Sequence, residues 1–212
     1  MSDTLQQIKD AVITRQRAEI EGLVTRAIEE GIEPKSIIDL GLISAMDVIG
    51  QLFSDSEIFV PEMLVSALTM KLGLDTVKPL LKSEDSEPKG TIIVGTVKGD
   101  IHDIGKNIVK MMLEGAGFEV VDLGVDLTVE KLIEQTEAIG PDILGLSALL
   151  TTTMPEMKRA VQELEAKGLK EKVKVMVGGA PVSNSFAEEI GADGYGADAA
   201  EAVVLARKLI GV

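Results

Sequence analysis

Cysteine and tryptophan are absent from this 212-residue chain, and histidine occurs once. Without thiols there is no disulfide, no thiolate metal site and no cysteine nucleophile. A single imidazole also rules out a zinc site built from several histidines, so transition-metal chemistry would need nearly all of the metal's ligands to arrive on a prebuilt cofactor. Aromatic residues make up 2% of the chain, too few for platforms that stack bases or sugars. Positive charge is scarce as well. Against 35 Asp and Glu stand 21 Lys and Arg, a net charge of -14, which argues against nucleic acid and anionic membranes, since both need a basic surface. The opening Met1-Ser-Asp-Thr-Leu-Gln-Gln has neither a charged n-region nor an apolar h-region, and no apolar run approaches the length of a membrane span. A cytoplasmic protein of one or two domains, long enough to bury a core, is expected.

What is present follows two rhythms. In the first half, Ile38, Leu42, Met46, Ile49 and Phe53 recur at spacings of three and four, as do Met63, Ala67, Met70, Leu74, Val77 and Leu81. Pro34 and Pro61 stand where helices start, and two earlier stretches, about 4–14 and 17–30, also read as helices. Four such helices predict a small antiparallel bundle, with Met46, Met63 and Met70 as core filler. The polar stretch from Lys82 to Gly90 has the composition of a linker and separates a helical domain, 1–88, from a second domain, 89–212. Relative motion of two compact halves is expected there.

Beyond the linker, short apolar runs alternate with helical segments. The runs cover 91–97, 119–123, 143–149, 173–177 and, weakly, 193–195. Strands apolar on both faces and joined by helices call for a parallel sheet covered on both sides. Right-handed crossovers then predict an α/β, five-stranded, doubly wound, flavodoxin-like domain whose ligands bind at the carboxyl ends of the strands. Segments 100–105, 147–153 and 178–181 all follow strands, on one rim.

The first of these holds the sole histidine, in Gly99-Asp100-Ile101-His102-Asp103-Ile104-Gly105. An isolated loop histidine is ordinarily a surface residue. Here a carboxylate two residues back suits a metal ligand whose tautomer and orientation are held by a second acceptor. Gly105 fits either a plain helix start or the close approach of a bulky ligand. Thr153 fits either a helix cap or a functional hydroxyl. Gly178-Gly179 fits a tight turn. The exposed aromatics flanking the loop 54–57, Phe53 and Phe59 with Val60, fit burial or an apolar ligand.

Asp100-x-His102-x-x-Gly105 resembles the Asp-x-His-x-x-Gly signature of cobalamin-binding domains, in which the histidine replaces the cofactor's benzimidazole as lower ligand to cobalt. Ser147-Ala-Leu149 is similar to that family's Ser-x-Leu stretch, and Val177-Gly178-Gly179-Ala180 to its Gly-Gly turn beneath the nucleotide. Gly194-Tyr195-Gly196-Ala197 fits the ring-wall segment that follows. The order of helical cap, linker and cobalamin domain resembles the corrinoid proteins of methyltransferase systems that act on methylamines, methanol, betaines or aryl methyl ethers, and the cobalamin-binding module of methionine synthase. The resemblance implies His102 as metal ligand and a relay of Asp100, His102 and Thr153, where methionine synthase-like members carry serine. It implies that Ser147 and Thr151 line the tail channel, and that Phe53, Phe59 and Val60 lie over the ring's upper face with Asp39 near an acidic cap position. It further implies a cobalamin or related corrinoid, methylated in one state. The chain would then be a methyl carrier rather than a stand-alone catalyst, working with a substrate-specific methyltransferase, an acceptor methyltransferase using tetrahydrofolate or a thiol coenzyme, and a reductive activator. Two other readings stay open: a corrinoid storage module, and a receiver-like signalling domain. Asp100 and Asp103 partly imitate a receiver's acids, but Gly178-Gly179 stands where a lysine would help.

Overall fold

The computed structural model describes residues 2–81 and 88–212. Most of the stretch read as a linker, 82–87, lies outside the described residues. Backbone contacts group Met1–Pro88 with Glu114–Gly117 in one unit, and Lys89–Leu113 with Phe118–Val212 in another.

In the helical unit, α1 (Asp3–Ile13) starts on Ser2, whose hydroxyl accepts the Leu5 N–H and satisfies one orphan donor of the first turn. It is followed by α2 (Ile20–Glu29), α3 (Pro34–Ser54) and α4 (Val60–Val77). Pro34 opens α3, where a missing N–H does no harm, and residues Ile37–Ile43 of that helix are wound as a π-helix. The Glu62 carboxylate accepts the Phe59 N–H at 3.0 Å at the head of α4. Ile8, Val12, Ile20, Val24, Ile37, Leu42, Ile49 and Met63 are fully or almost fully buried, and Met46 and Met70 join them.

Two expectations need correction here. The apolar repeat runs on to Leu81, but the helix stops at Val77 and tightens into a 3₁₀ turn, Lys78–Leu80, because Pro79 has no N–H to continue the ladder. Helix α3, with 21 residues, is also long and apolar enough to cross a membrane by length and composition, although Asp39 and Asp47 break up its apolar run. Its Ile37, Leu42, Ala45, Met46 and Ile49 are buried, the disposition of a core helix.

In the second unit β1 (Thr91–Thr96), β2 (Glu119–Asp122), β3 (Ile143–Ser147), β4 (Lys174–Gly178) and β5 (Gly194–Gly196) form one parallel sheet in the order β2-β1-β3-β4-β5. Helices α5 (Ile104–Gly115), α6 (Val129–Ile139), α7 (Met154–Ala166), α8 (Asn184–Ile190) and α9 (Ala199–Ile210) connect and follow the strands. Because side chains alternate along a strand, Ile93, Leu144, Leu146, Val175 and Val177 enter one core with Leu132, Ile133, Met157, Val161 and Leu164, while Ile92, Val94, Ile143 and Met176 are buried on the other face. This is the flavodoxin-like doubly wound arrangement. Strand order reverses between β1 and β3, so the loops after those two strands flank the crevice where such sheets bind ligands.

The third strand ends at Ser147 rather than at the expected Leu149. The N–H groups of Leu149 and Leu150 turn away from the sheet to donate to the Asp100 carboxylate. The neighbouring strand end closes on this turn: Ala148 N–H donates to the Gly178 carbonyl at 3.2 Å, and Gly179 follows at φ +126. A Cβ on Gly179 would lie 1.9 Å from the Ala148 carbonyl oxygen. We therefore expect Gly179→Ala to destabilise the unit by roughly 2–4 kcal/mol, combining a left-handed backbone with a backbone clash. Urea denaturation of the purified variant measures this, and a loss below about 0.5 kcal/mol would show that the turn relaxes freely.

Candidate functional site

The site is built on the two loops that flank the reversal of strand order. After β1 the chain pairs Val97 with Leu127, turns at Gly99 with φ +81, and brings Asp100 inward, its N–H donating to the Val97 carbonyl at 3.2 Å. The Thr96 hydroxyl donates to the His102 carbonyl at 3.0 Å. Helix α5 then begins at Ile104, with the Asp103 carboxylate accepting the Asn107 amide at 3.1 Å.

Asp100 is fully buried. Its Oδ1 accepts the His102 backbone N–H at 3.0 Å and lies 2.6 Å from His102 Nδ1. Its Oδ2 accepts Leu149 N–H at 2.7 Å and Leu150 N–H at 3.3 Å, and lies 3.1 Å from the Thr153 hydroxyl. Burial on its own would push this carboxyl up. The Leu149 and His102 N–H groups, the His102 ring and the Thr153 hydroxyl outweigh it and hold the carboxyl well below the usual carboxylate range. An ionised carboxylate can only accept, so the hydrogen on His102 is assigned to Nδ1, leaving the Nε2 lone pair to point elsewhere. The ring is about half exposed, at 49%. Chemically this is an oriented, solvent-facing nitrogen base with a buried anion behind it, able to ligate a metal that brings its other ligands along.

Thr153 heads α7, but its side chain makes no capping bond. Instead its hydroxyl sits between Asp100 Oδ2 and the Leu150 carbonyl, 2.9 Å from the latter. The structure thus brings Asp100, His102, Leu149 and Thr153 together directly.

The two loops carry four exposed apolar side chains, Ile101 at 73%, Ile104 at 76%, Leu149 at 43% and Leu150 at 40%. Water-facing apolar groups gathered at a mouth are the mark of a surface that something apolar covers. Among the described residues nothing lies within 4 Å of a Cβ built on Gly105, so none of them demands glycine there, and Gly105 leaves open space at the loop.

Along the carboxyl edge, Thr96, Ser147, Gly178 and Gly196 stand in register across β1, β3, β4 and β5. All four are small; Thr96 is fully buried, and the space at Gly196 is taken up by Ala202, 3.1 Å from where a Cβ would stand. Gly179 and Ala180 continue beyond β4, and Ala197 N–H donates to Glu201 Oε2. Tyr195 is half-buried and packs against the sheet core, and Thr151 is exposed in its turn, so neither touches the Asp100 network. The helical unit holds the remaining candidates. Phe59 is 66% exposed before α4, while Phe53, Val60 and Asp39 are half-buried.

Three contributors were not legible as site residues. Leu150 offers a backbone N–H, which any residue has. Thr96 looks like the ordinary end of an apolar run. Lys106, almost wholly buried, places Nζ 2.6 Å from both Asp122 oxygens and ties α5 to the end of β2. Burial would raise the Asp122 carboxyl, but Lys106 and the Gly124 N–H hold it lower. A pair 16 residues apart leaves no local signal.

Residues 90–204 match the family described as B12 binding domain, and residues 4–78 match a second family of that description. A corrinoid protein of Desulfitobacterium hafniense is 40% identical over 98% of this chain and 97% of its own. Dimethylamine corrinoid protein 1 of Methanosarcina acetivorans is 41% identical, over 98% of both chains. Among solved structures, the methanol:cobalamin methyltransferase complex MtaBC from Methanosarcina barkeri superposes with a TM-score of 0.87 at 31% identity, covering 100% of this chain and 81% of that one.

The electrostatics of Asp100 make a stability prediction. Its folded pKa lies below the unfolded value of about 3.9, so the stability it contributes is complete above about pH 4 and is lost as pH falls further toward its folded pKa. Asp100→Asn is expected to cost about 1–3 kcal/mol at pH 7. The gap to wild type should narrow below about pH 4. Urea titrations of both proteins at pH 7 and pH 3 decide it, and a gap that widens on acidification contradicts the assignment.

Proposed function

Because the chain belongs to the B12-binding corrinoid proteins, we propose that it is the methyl-carrying component of a multi-component methyltransferase system, with His102 as lower ligand to the corrinoid's cobalt. The observation that carries the reading is the outward-facing His102 ring, fixed through Nδ1 by a buried Asp100. The residues fit the group in three further respects. The open space at Gly105 admits a bulky planar partner. The exposed Ile101, Ile104, Leu149 and Leu150 match its apolar body, and the small residues at the ends of β3 and β4, Ser147, Gly178 and Gly179, are assigned to its elongated tail. Phe59 offers an exposed apolar face in the helical unit, and Phe53, Val60 and Asp39 are assigned to the same ligand role.

When bound, a corrinoid supplies cobalt that takes a methyl group as a nucleophile in its most reduced state and yields it to another nucleophile. The chain's own residues do the rest. His102 Nε2 ligates or withdraws. Asp100, itself held by the Thr153 hydroxyl, keeps the ring in the tautomer with hydrogen on Nδ1, so that the Nε2 lone pair faces outward and a proton taken up at Nε2 would compete with ligation there. The apolar side chains at the rim exclude water from the lower side.

The partners assigned are a substrate-specific methyltransferase, an acceptor methyltransferase whose acceptor is tetrahydrofolate or a thiol coenzyme, and a reductive activator. The choice of methyl donor belongs to the first partner. Similar proteins are named for dimethylamine and for methanol, and no residue of this site contacts a donor in the proposed scheme.

Incubation with hydroxocobalamin followed by desalting should leave corrin absorption bands on the wild type. His102→Ala should retain part of the corrinoid but lose the nitrogen hyperfine structure from a lower ligand in the electron paramagnetic resonance spectrum of the cobalt(II) state. Since the chain has one histidine, wild type labelled with nitrogen-15 at histidine should show a lower-ligand doublet, and a nitrogen-14 triplet there, from the cofactor's own benzimidazole, rules His102 out. Loaded, reduced protein that exchanges no methyl group with methyltransferases of the dimethylamine or methanol type would point to storage instead of carriage.

A further inference from the structure

The turn after β2 has no role in the scheme above, yet it grips the histidine loop on both sides of His102. Asp126 does so twice, with Oδ1 accepting the Gly99 N–H at 2.8 Å and its own N–H donating to the Asp100 carbonyl at 3.0 Å. Thr96 N–H donates to the Gly124 carbonyl at 3.0 Å, and Leu127 N–H to the Thr96 carbonyl at 3.1 Å. Beyond the histidine, Asp122 holds Lys106 from the first turn of α5.

Asp126 itself sits at φ +54. Among residues with a side chain, Asp, Asn and His are those that enter the left-handed region most readily, and such outliers persist where their surroundings hold them. The left-handed turn lets the carboxylate and the amide of one residue reach the Gly99 N–H and the Asp100 carbonyl, on either side of the peptide that joins them. Those two peptides set where the Asp100 side chain departs from the backbone. The Asp100 carboxylate in turn sets the direction of the imidazole.

We propose that Asp126 is a positioning residue for His102: by clamping the Gly99 and Asp100 peptides, it aims the imidazole at the corrinoid cobalt, an inference that rests on the reading of His102 as lower ligand.

The test begins without cofactor. The single histidine makes nitrogen-15 ring spectra of the protein report one imidazole, and amide hydrogen exchange at Gly99 reports the clamp. Asp126→Gly keeps the left-handed backbone and removes the acceptor, whereas Asp126→Asn keeps both. Asp126→Gly should speed Gly99 exchange about three- to tenfold, the range of one net hydrogen bond, and shift the His102 ring from one Nδ1–H tautomer toward a mixture. Asp126→Asn should restore both signals. Unchanged Gly99 exchange and ring signals in Asp126→Gly overturn the proposal. So does faster exchange at Gly99 that is matched at Leu144 and Val175, since that is general destabilisation rather than positioning.

With hydroxocobalamin loaded and reduced to cobalt(II), the fraction of protein showing nitrogen hyperfine from the lower ligand should fall in Asp126→Gly and recover in Asp126→Asn. A ligated fraction equal to wild type in Asp126→Gly also overturns the proposal. Failure of the wild type to take up any corrinoid would instead overturn the ligand reading, and the cofactor-free measurements keep the two failures apart.

Discussion

A carboxylate removed from water has to be surrounded by donors, and at Asp100 this requirement shapes both loops of the site. The Leu149 and Leu150 N–H groups, the His102 N–H and ring, and the Thr153 hydroxyl all converge on it. Leaving any one of these donors out would expose a buried charge to an incomplete shell, which is expensive in a low-dielectric interior. One residue thereby ends β3 two positions early, diverts Thr153 from capping α7, and fixes which ring nitrogen of His102 carries hydrogen. Asp100 thus couples the β1 and β3 loops and also defines the imidazole.

The sheet makes this convergence available. With the order β2-β1-β3-β4-β5, the connections from β1 and β3 depart on either side of the reversal, the place where such sheets leave a crevice between loops. Into that space the chain places flexible-looking sequence that the structure holds firmly. Thr96, Asp122 with Lys106, and the turn at Asp126 anchor the histidine loop to the strand frame. A base proposed to ligate and withdraw would benefit from this arrangement, because the loop's backbone is held by hydrogen bonds while the ring remains half exposed.

Division of labour follows from the same geometry. In the proposed scheme this site would hold the cofactor's lower side and tail, through a nitrogen base, exposed apolar side chains and small residues at the strand ends. Specificity for a methyl donor requires contacts to that donor, which the proposed scheme assigns to a partner. Relatives matched over 98% and 100% of this chain accordingly carry names tied to different substrates, and the -14 net charge of this one bears on which partner surfaces it can approach.

Periodicity, composition and one short motif made much of the protein legible. Helical spacing from Ile38 to Phe53 and apolar runs between helices are properties of neighbouring residues, so the helices, the strands and the doubly wound class could be read along the chain. Asp100 and His102 are two residues apart, so their pairing was legible too, and one histidine with no cysteine left a prebuilt cofactor as the route to metal chemistry. Contacts between distant segments were not. The early end of β3, the hydroxyl of Thr153 facing Asp100 rather than its own helix, the Lys106–Asp122 pair and the grip of Asp126 on Gly99 join residues 16 to 53 positions apart. Their partners are chosen by the order in which strands pack and by the need to surround a buried charge, and no local pattern encodes either.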